Sequence, residues 1–154
     1  MSGGRLLGIA RRSAPRAPME AVSEAAVTLE TGVGNDTRGL ARPGRSTRRQ
    51  VSILRLEDWE TVEAELGTGL VWTTRRANLL VSGLRLPQRA GDYLYVGAGV
   101  KLEITGECDP CRRMDEQHQG LMAALVPDWR GGVLARVVTA GHIAIGDAVR
   151  IEAT

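Results

Sequence analysis

Tyr93-Leu94-Tyr95-Val96-Gly97-Ala98-Gly99-Val100-Lys101-Leu102-Glu103-Ile104-Thr105 decides how the rest of the chain is read. A β-like run, a glycine-containing turn and a second β-like run follow one another, which is the pattern of a hairpin. Ala140-Gly141-His142-Ile143-Ala144-Ile145-Gly146 followed by Val149-Arg150-Ile151-Glu152 repeats that order, and reads as a second hairpin of one barrel. Outward from these lie Leu6 to Ile9, Ala25 to Leu29, Val51 to Leu54, Leu79 to Val81 and Val133 to Val138. Gly, Asp and Pro bound the runs at intervals of about ten residues, so the chain is mainly β, a sandwich or barrel.

Two segments read as helix. Leu56, Trp59, Val62 and Leu66 recur at helical spacing, with Glu57 and Asp58 at the positive end of the dipole and Gly67 able to close the last turn. A second helix is expected from about Asp115 to Val126, with Leu121, Met122 and Leu125 on one face and Pro127 as its stop.

The 154 residues fit a single domain, taken as residues 5–152, with no linker between halves. Hydrophobic residues at 43% and charged ones at 25% match soluble globular chains rather than disordered or fibrous ones. No apolar run reaches the roughly 18 residues of a membrane span, so no membrane partner is expected. Aromatic residues are few: no Phe, two Tyr and three Trp. Base-stacking platforms are therefore scarce, and no nucleic-acid partner is expected. The basic N-terminal stretch around Arg11, Arg12 and Arg16 is interrupted by Pro15 and Pro18 and followed by Glu20, unlike a transit helix. With no secretory signal read, a cytoplasmic location is expected. The charge is uneven: residues 1–55 hold ten Arg against four acids, while the remainder is net acidic. All cations but Lys101 are Arg, whose forked donors suit phosphate and carboxylate.

Both cysteines lie in Cys108-Asp109-Pro110-Cys111, directly after the Val100 to Thr105 run. Zinc wants four ligands, and one C-x-x-C with two histidines outside finger spacing supplies too few. A dithiol redox pair, a single working thiolate and two inert buried sulfurs are the remaining readings. Arg112 and Arg113 follow Cys111, and cations beside a sulfur favour the thiolate that attacks or binds metal, which makes Cys111 the better nucleophile or soft-metal ligand. Thr31 to Gly39 is a Gly-rich loop in which Asn35 tolerates a left-handed backbone, and whose N–H groups can face an anion. Arg48 and Arg75 read equally well as loop arginines in water. Arg76, Arg130 and Arg136 sit in or against apolar sequence and need partners, and Asn78 adds an amide beside Arg76. No G-x-S-x-G or other hydrolase pattern occurs.

Seven motifs in one order then carry a resemblance: G-x-x-x-D (Gly32 to Asp36), R-Q-V-S-I-L (Arg49 to Leu54), R-x-N-L-x-V-x-G (Arg76 to Gly83), G-D-x-L-x-V-G (Gly91 to Gly97), E-I-T with C-x-P-C (Glu103 to Cys111), W-R-G-G-V-x-A-R-V (Trp129 to Val137) and G-x-I-x-I-G-D-x-V (Gly141 to Val149). Together they resemble the MOSC domain, named for the C-terminal part of molybdenum-cofactor sulfurases and also found alone in small bacterial proteins. The resemblance implies a β-rich closed barrel with two or three short helices. It implies Cys111 as catalytic residue, as metal ligand to molybdenum or as carrier of a persulfide. It also implies Arg76, Asn78, Arg49 and Arg136 as contacts to the anionic pterin of the molybdenum cofactor, with Asp36 shaping the rim. Arg112-Arg113-Met114-Asp115 replaces the longer segment that follows the cysteine in amidoxime-reducing relatives. Pyridoxal phosphate is not expected, because Lys101 lies in a strand. The implied function is to bind the molybdenum cofactor or carry sulfur, with reduction of a small N-hydroxylated substrate as the oxidoreductase version. A separate sulfur donor or electron-transfer protein is the implied partner. The alternative is a metal-free thiol–disulfide or sulfur-handling module using Cys108 and Cys111.

Overall fold

A computed structural model describes residues 3–152. Its strands are β1 (Gly4–Arg11), β2 (Glu20–Val22), β3 (Glu24–Thr28), β4 (Gly32–Val33), β5 (Val51–Arg55), β6 (Leu79–Ser82), β7 (Tyr93–Val96), β8 (Val100–Glu107), β9 (Val133–Thr139), β10 (Gly141–Ala144) and β11 (Ala148–Glu152). Three short helices join them: α1 (Leu56–Leu66), α2 (Arg113–Gln117) and α3 (Leu121–Leu125). Strands run in the order β11-β7-β8-β9-β5-β6-β1, and β11 pairs back onto β1. The sheet therefore closes into a seven-strand barrel, one of the two architectures the spacing of β-like runs leaves open and the one the family resemblance implies, and closure leaves no edge among these strands to template aggregation. β2 extends from β1, and β10, β3 and β4 form a separate small sheet.

The quoted stretch is a hairpin, with Val96 opposite Val100 and Tyr93 opposite Glu103. Its sequence echo is not. β10 pairs with β3, whereas β11 pairs with β7 and β1, so two adjacent strands of similar pattern enter different sheets. A strand–turn–strand pattern specifies the bend but not the partner, which is set by non-local pairing.

Leu6, Ile9, Ile53, Leu94, Leu102, Ile104 and Ala135 fill the barrel interior. Leu54 and Leu80, adjacent to inward residues, face outward instead and pack under the helices with Trp59, Val62, Leu121 and Leu125. Burial on both faces explains the unbroken apolar run Leu79-Leu80-Val81 of β6. The same layer holds α1, which links β5 to β6 as a parallel pair. α1 ends where expected, with Gly67 in the left-handed conformation at φ 64°.

The expected helix from Asp115 to Val126 is two helices. His118 is extended and Gly120 is left-handed at φ 91°, and the Asp115 carboxylate accepts the backbone N–H of Met122 at 2.9 Å. Asp115, itself exposed, thus caps the start of α3 across the break between the two helices.

Cross-strand register brings four chain ends to one rim. Ile53 faces Val133 on one side and Leu79 on the other; Leu79 faces Ile9, and Val133 faces Glu107. The end of β8, the start of β9, the start of β6 and the end of β1 are consequently neighbours. Gly8 in β1 allows a close approach there: a Cβ on it would come within 2.6 Å of the Trp72 ring. Trp72 opens the short 3-10 turn Trp72–Arg75, so this contact seats the turn that delivers Arg75 and Arg76.

Candidate functional site

β8 ends at Glu107, and the Cys108 N–H continues its ladder by donating to the Gly132 carbonyl at 2.9 Å. Cys108 is consequently buried at 6% exposure, whereas Cys111, beyond Pro110, is exposed; both are free thiols. The Cys111 carbonyl accepts the Met114 N–H and starts α2.

Arg75 reaches this segment from the 3-10 turn. Its guanidinium donates to the Gly131 carbonyl at 3.2 Å, to the Cys108 carbonyl at 2.7 Å and toward the Cys108 sulfur at 3.2 Å. Gly131 is required where it stands, since a Cβ would meet the Cys108 carbonyl oxygen at 2.6 Å and the Arg75 Nη2 at 3.0 Å. The adjacent Gly132, at φ 97°, passes so close to β5 that a Cβ would lie 2.1 Å from the Ile53 carbonyl oxygen. The W-R-G-G motif is thus the backbone seat of the thiol segment.

A cavity of about 160 Å³ opens beside the thiols, lined by Arg38, Arg49, Arg75, Arg76, Cys108 and Cys111, with Arg113, Asp109 and Met114 completing it. Of the residues expected from sequence, Cys111, Arg49 and Arg76 meet there. Arg76 adopts a left-handed backbone at φ 65° just after the 3-10 turn. Three others do not line it. The Asn78 amide is occupied within the fold: its Oδ1 accepts the Ser52 N–H at 3.0 Å and its Nδ2 donates to the Ala10 carbonyl at 3.2 Å. Arg136 lies on β9 opposite Glu103, with a buried Nε that has no partner. Arg130 does find the partner its apolar setting demands, pairing with Glu65 at 2.9 Å.

Asp36 is buried, and it holds arginines rather than a ligand. Its Oδ1 accepts the Arg12 N–H at 2.6 Å and its Oδ2 the Arg38 N–H at 3.0 Å. The Gly-rich loop around it, expected to offer N–H groups to an anion, has used them internally. Those of Gly34, Asp36, Thr37 and Gly39 donate to the carbonyls of Ala26, Val33, Arg12 and Asp36. What the loop presents instead is the Arg38 side chain.

Arg38 and Arg113 also belong to an adjoining basin, which contains Arg12. Burial, with Arg38, Arg76 and Arg113 nearby, pushes the Arg12 guanidinium below its ordinary pKa, opposed by Asp36. Among the described residues, none of the arginines around the cavity or the basin lies within ion-pair distance of a carboxylate; the ion pairs use Arg11, Arg55, Arg89, Arg130 and His142. The thiols therefore sit beside arginines that form no close ion pair among the described residues, with the Asp109 carboxyl lining the same cavity. Two carboxyls flank them, Glu107 and Asp109. Burial pushes the Glu107 carboxyl up, reinforced by a hydrogen bond and charge from Asp109.

Sequence reasoning ranked Arg76 over Arg75 and did not reach Arg12 or Arg38 as site residues. The signal for the last two was Asp36 itself, an acid in a glycine-rich loop whose carboxylate can gather backbone N–H groups from two segments.

Among the described residues, no group of three or more His, Cys, Asp or Glu could hold a metal ion. A metal at Cys111 would have to bring most of its own ligands.

A closed barrel that gathers two thiols and several arginines at one rim defines a class: a small β-barrel protein with a pocket lined by thiols and arginines. The chain belongs to the MOSC domain family, which its residues 34–150 match. Among solved structures it is similar to the YuaD protein from Bacillus subtilis, with a TM-score of 0.81 at 19% identity over 100% of this chain and 97% of that one. It is also similar to YiiM from Geobacillus stearothermophilus, with a TM-score of 0.73 at 17% identity over 96% of this chain and 74% of that one. YiiM from Escherichia coli gives 0.70 at 15% identity, over 97% and 70%. At these identities the likeness is one of fold. No functionally curated protein matches the sequence. Among the described residues no helix is long and apolar enough to cross a membrane.

Proposed function

We propose that this MOSC protein binds the molybdenum cofactor, with Cys111 as the protein's ligand to the metal. The observation that carries this reading is the exposed Cys111 thiol on a cavity whose arginines have no carboxylate partners. The residues fit the group. A thiolate is a soft ligand of the kind such a metal takes, and a group that brings its own sulfur ligands needs only one from the chain. Arg49 and Arg76 neutralise the anionic part of the cofactor, and Arg38 and Arg113 extend the same field. Arg75 fixes the Cys108 carbonyl and thereby the start of the segment bearing Cys111. Asp36 positions Arg12 and Arg38 from beneath, and Asn78 holds β1, β5 and β6 in register below the turn that bears Arg76.

When bound, the cofactor supplies a metal centre for two-electron chemistry. In the enzymatic version of this reading the substrate is a small N-hydroxylated base or amidoxime. Its N–O bond is cleaved, two electrons and two protons are consumed, and water leaves. The electrons come from a separate protein, and a reducing cytoplasmic setting keeps both thiols free.

A second reading has its own observation. Arg75 stands 3.2 Å from the Cys108 sulfur, so the second thiol also faces a cation. On this reading Cys111 takes the outer sulfur of a persulfide on a separate donor protein, releasing the donor's thiol. The Cys108 thiolate then attacks the inner sulfur, forming the Cys108–Cys111 disulfide and releasing hydrosulfide.

Native mass spectrometry of protein from a molybdenum-replete host tests both. Stoichiometric molybdenum that is lost in Cys111→Ala and reduced in Arg49→Gln and Arg76→Gln is the expected result. Metal-free protein with an extra sulfur on Cys111 supports the second reading, and protein with neither overturns both.

A further inference from the structure

The basin beside the thiol cavity has a volume of about 470 Å³, within the range of roughly 300–1,000 Å³ typical of small-molecule sites. Six arginines line it, namely Arg12, Arg16, Arg38, Arg42, Arg45 and Arg113, and no acid does. Arg12 is only 9% exposed, yet its Nε has no hydrogen-bond partner among the described residues. Burying a guanidinium N–H without an acceptor is costly, and crowding it with further cations costs more. A ligand rich in anionic oxygens resolves both problems.

The geometry points to this basin as a binding site for the diphosphate group of a nucleotide-class ester. One phosphate engages about two or three guanidinium forks, so six arginines, five of them exposed, offer enough donors for a second phosphate. Pro15 and exposed Leu40 line the same basin and give the organic part of such an ester an apolar edge. Single-stranded nucleic acid is disfavoured, because no aromatic ring lines the basin for bases to stack on. The site shares Arg38 and Arg113 with the thiol cavity, so an anion held there would compete for them, and the titrations use the full chain made without molybdenum.

The test is calorimetric titration of the full chain with inorganic pyrophosphate, ADP and inorganic phosphate at one ionic strength. Pyrophosphate should bind at least roughly tenfold more tightly than phosphate. Arg42→Gln and Arg45→Gln remove exposed loop side chains, so they leave the fold intact, as circular dichroism will verify; each should weaken pyrophosphate about fivefold or more. Arg5→Gln makes the same charge change at the other end of β1, about 20 Å away at the strand rise, and should alter affinity less than about twofold. ADP binding more tightly than pyrophosphate identifies a nucleotide; equal affinities identify the diphosphate alone as the recognised part. In protein made without molybdenum, Cys111→Ala should leave the pyrophosphate titration unchanged, whereas in molybdenum-replete protein it abolishes metal retention on the cofactor reading, so the two readings fail separately. Equal affinity for phosphate and pyrophosphate, equal weakening by Arg5→Gln and the basin variants, or loss of binding in Cys111→Ala would overturn the proposal.

Discussion

The Arg75 guanidinium lies 3.2 Å from the Cys108 sulfur and 2.7 Å from the carbonyl oxygen of the same residue. At 6% exposure it is a buried cation whose acceptors are two carbonyls, the Cys108 thiol and the Met114 thioether rather than a carboxylate. Such an arrangement ties the position of the C-x-x-C segment to one side chain from a distant turn. It also separates the two cysteines physically, one clamped inside and one outside.

Alkylation kinetics should report that separation. In the folded protein iodoacetamide is expected to modify Cys111 first, with Cys108 slower by roughly tenfold or more, because its sulfur must wait for local opening. Arg75→Met should narrow the gap and lower stability by about 2–4 kcal/mol, since it leaves the Gly131 and Cys108 carbonyls without their donor. Peptide mapping and urea unfolding measure the two effects. Equal rates in the parent protein would show that the clamp does not persist in solution.

Glycine substitutions should grade with the approach each position makes. Gly132→Ala places a Cβ against the Ile53 carbonyl at a left-handed φ and is expected to cost more than about 3 kcal/mol or prevent folding. Gly131→Ala presses on the Cys108 carbonyl and Arg75, so it should destabilise less while speeding Cys108 alkylation. Gly69→Ala meets nothing within 4 Å and should be neutral or stabilising by up to about 1 kcal/mol. Thermal melts of the three variants check the order.

Asn78→Ala should lose about 2–4 kcal/mol by urea unfolding, because it strips partners from the Ser52 N–H and the Ala10 carbonyl inside the fold. Unchanged stability would return this residue to a purely ligand-facing role.

How much of this was legible in the sequence differs between strands and site. The hairpin at Tyr93 to Thr105 and the Gly67 cap follow from local patterns, since alternation and a left-handed glycine act within a few residues, whereas the sequence leaves open whether either sulfur is exposed. Partner choice does not: β10 and β11 carry nearly the pattern of β7 and β8, yet they enter different sheets. Arg75 and Arg76 are neighbours in an identical local context, and a 3-10 turn seated by Trp72 on Gly8 sends the first onto Cys108 and leaves the second partly exposed. Arg12, Arg38 and Arg113 are separated along the chain by a barrel's worth of strands. Closure of that barrel unites them, and no window of sequence contains it.

Glu107 gives the site a pH signature of known sign. Burial, then the hydrogen bond and charge of Asp109, push its carboxyl above the ordinary carboxylate value that it has in the unfolded chain. Between those two values the folded state binds more protons than the unfolded state, so stability falls as pH rises through that window. Below the ordinary value both states are protonated and the term vanishes; above the raised value it is fully expressed as a penalty. Asp58, also raised chiefly by burial, adds a slope of the same sign, so the wild-type curve alone does not isolate Glu107. Glu107→Gln does, because it fixes the neutral form. Melting temperatures should therefore coincide for variant and parent at low pH and diverge upward in the variant as the pH approaches neutrality. A constant offset, or a variant that loses ground with rising pH, would mean that the Glu107–Asp109 pair does not hold an extra proton in the folded protein.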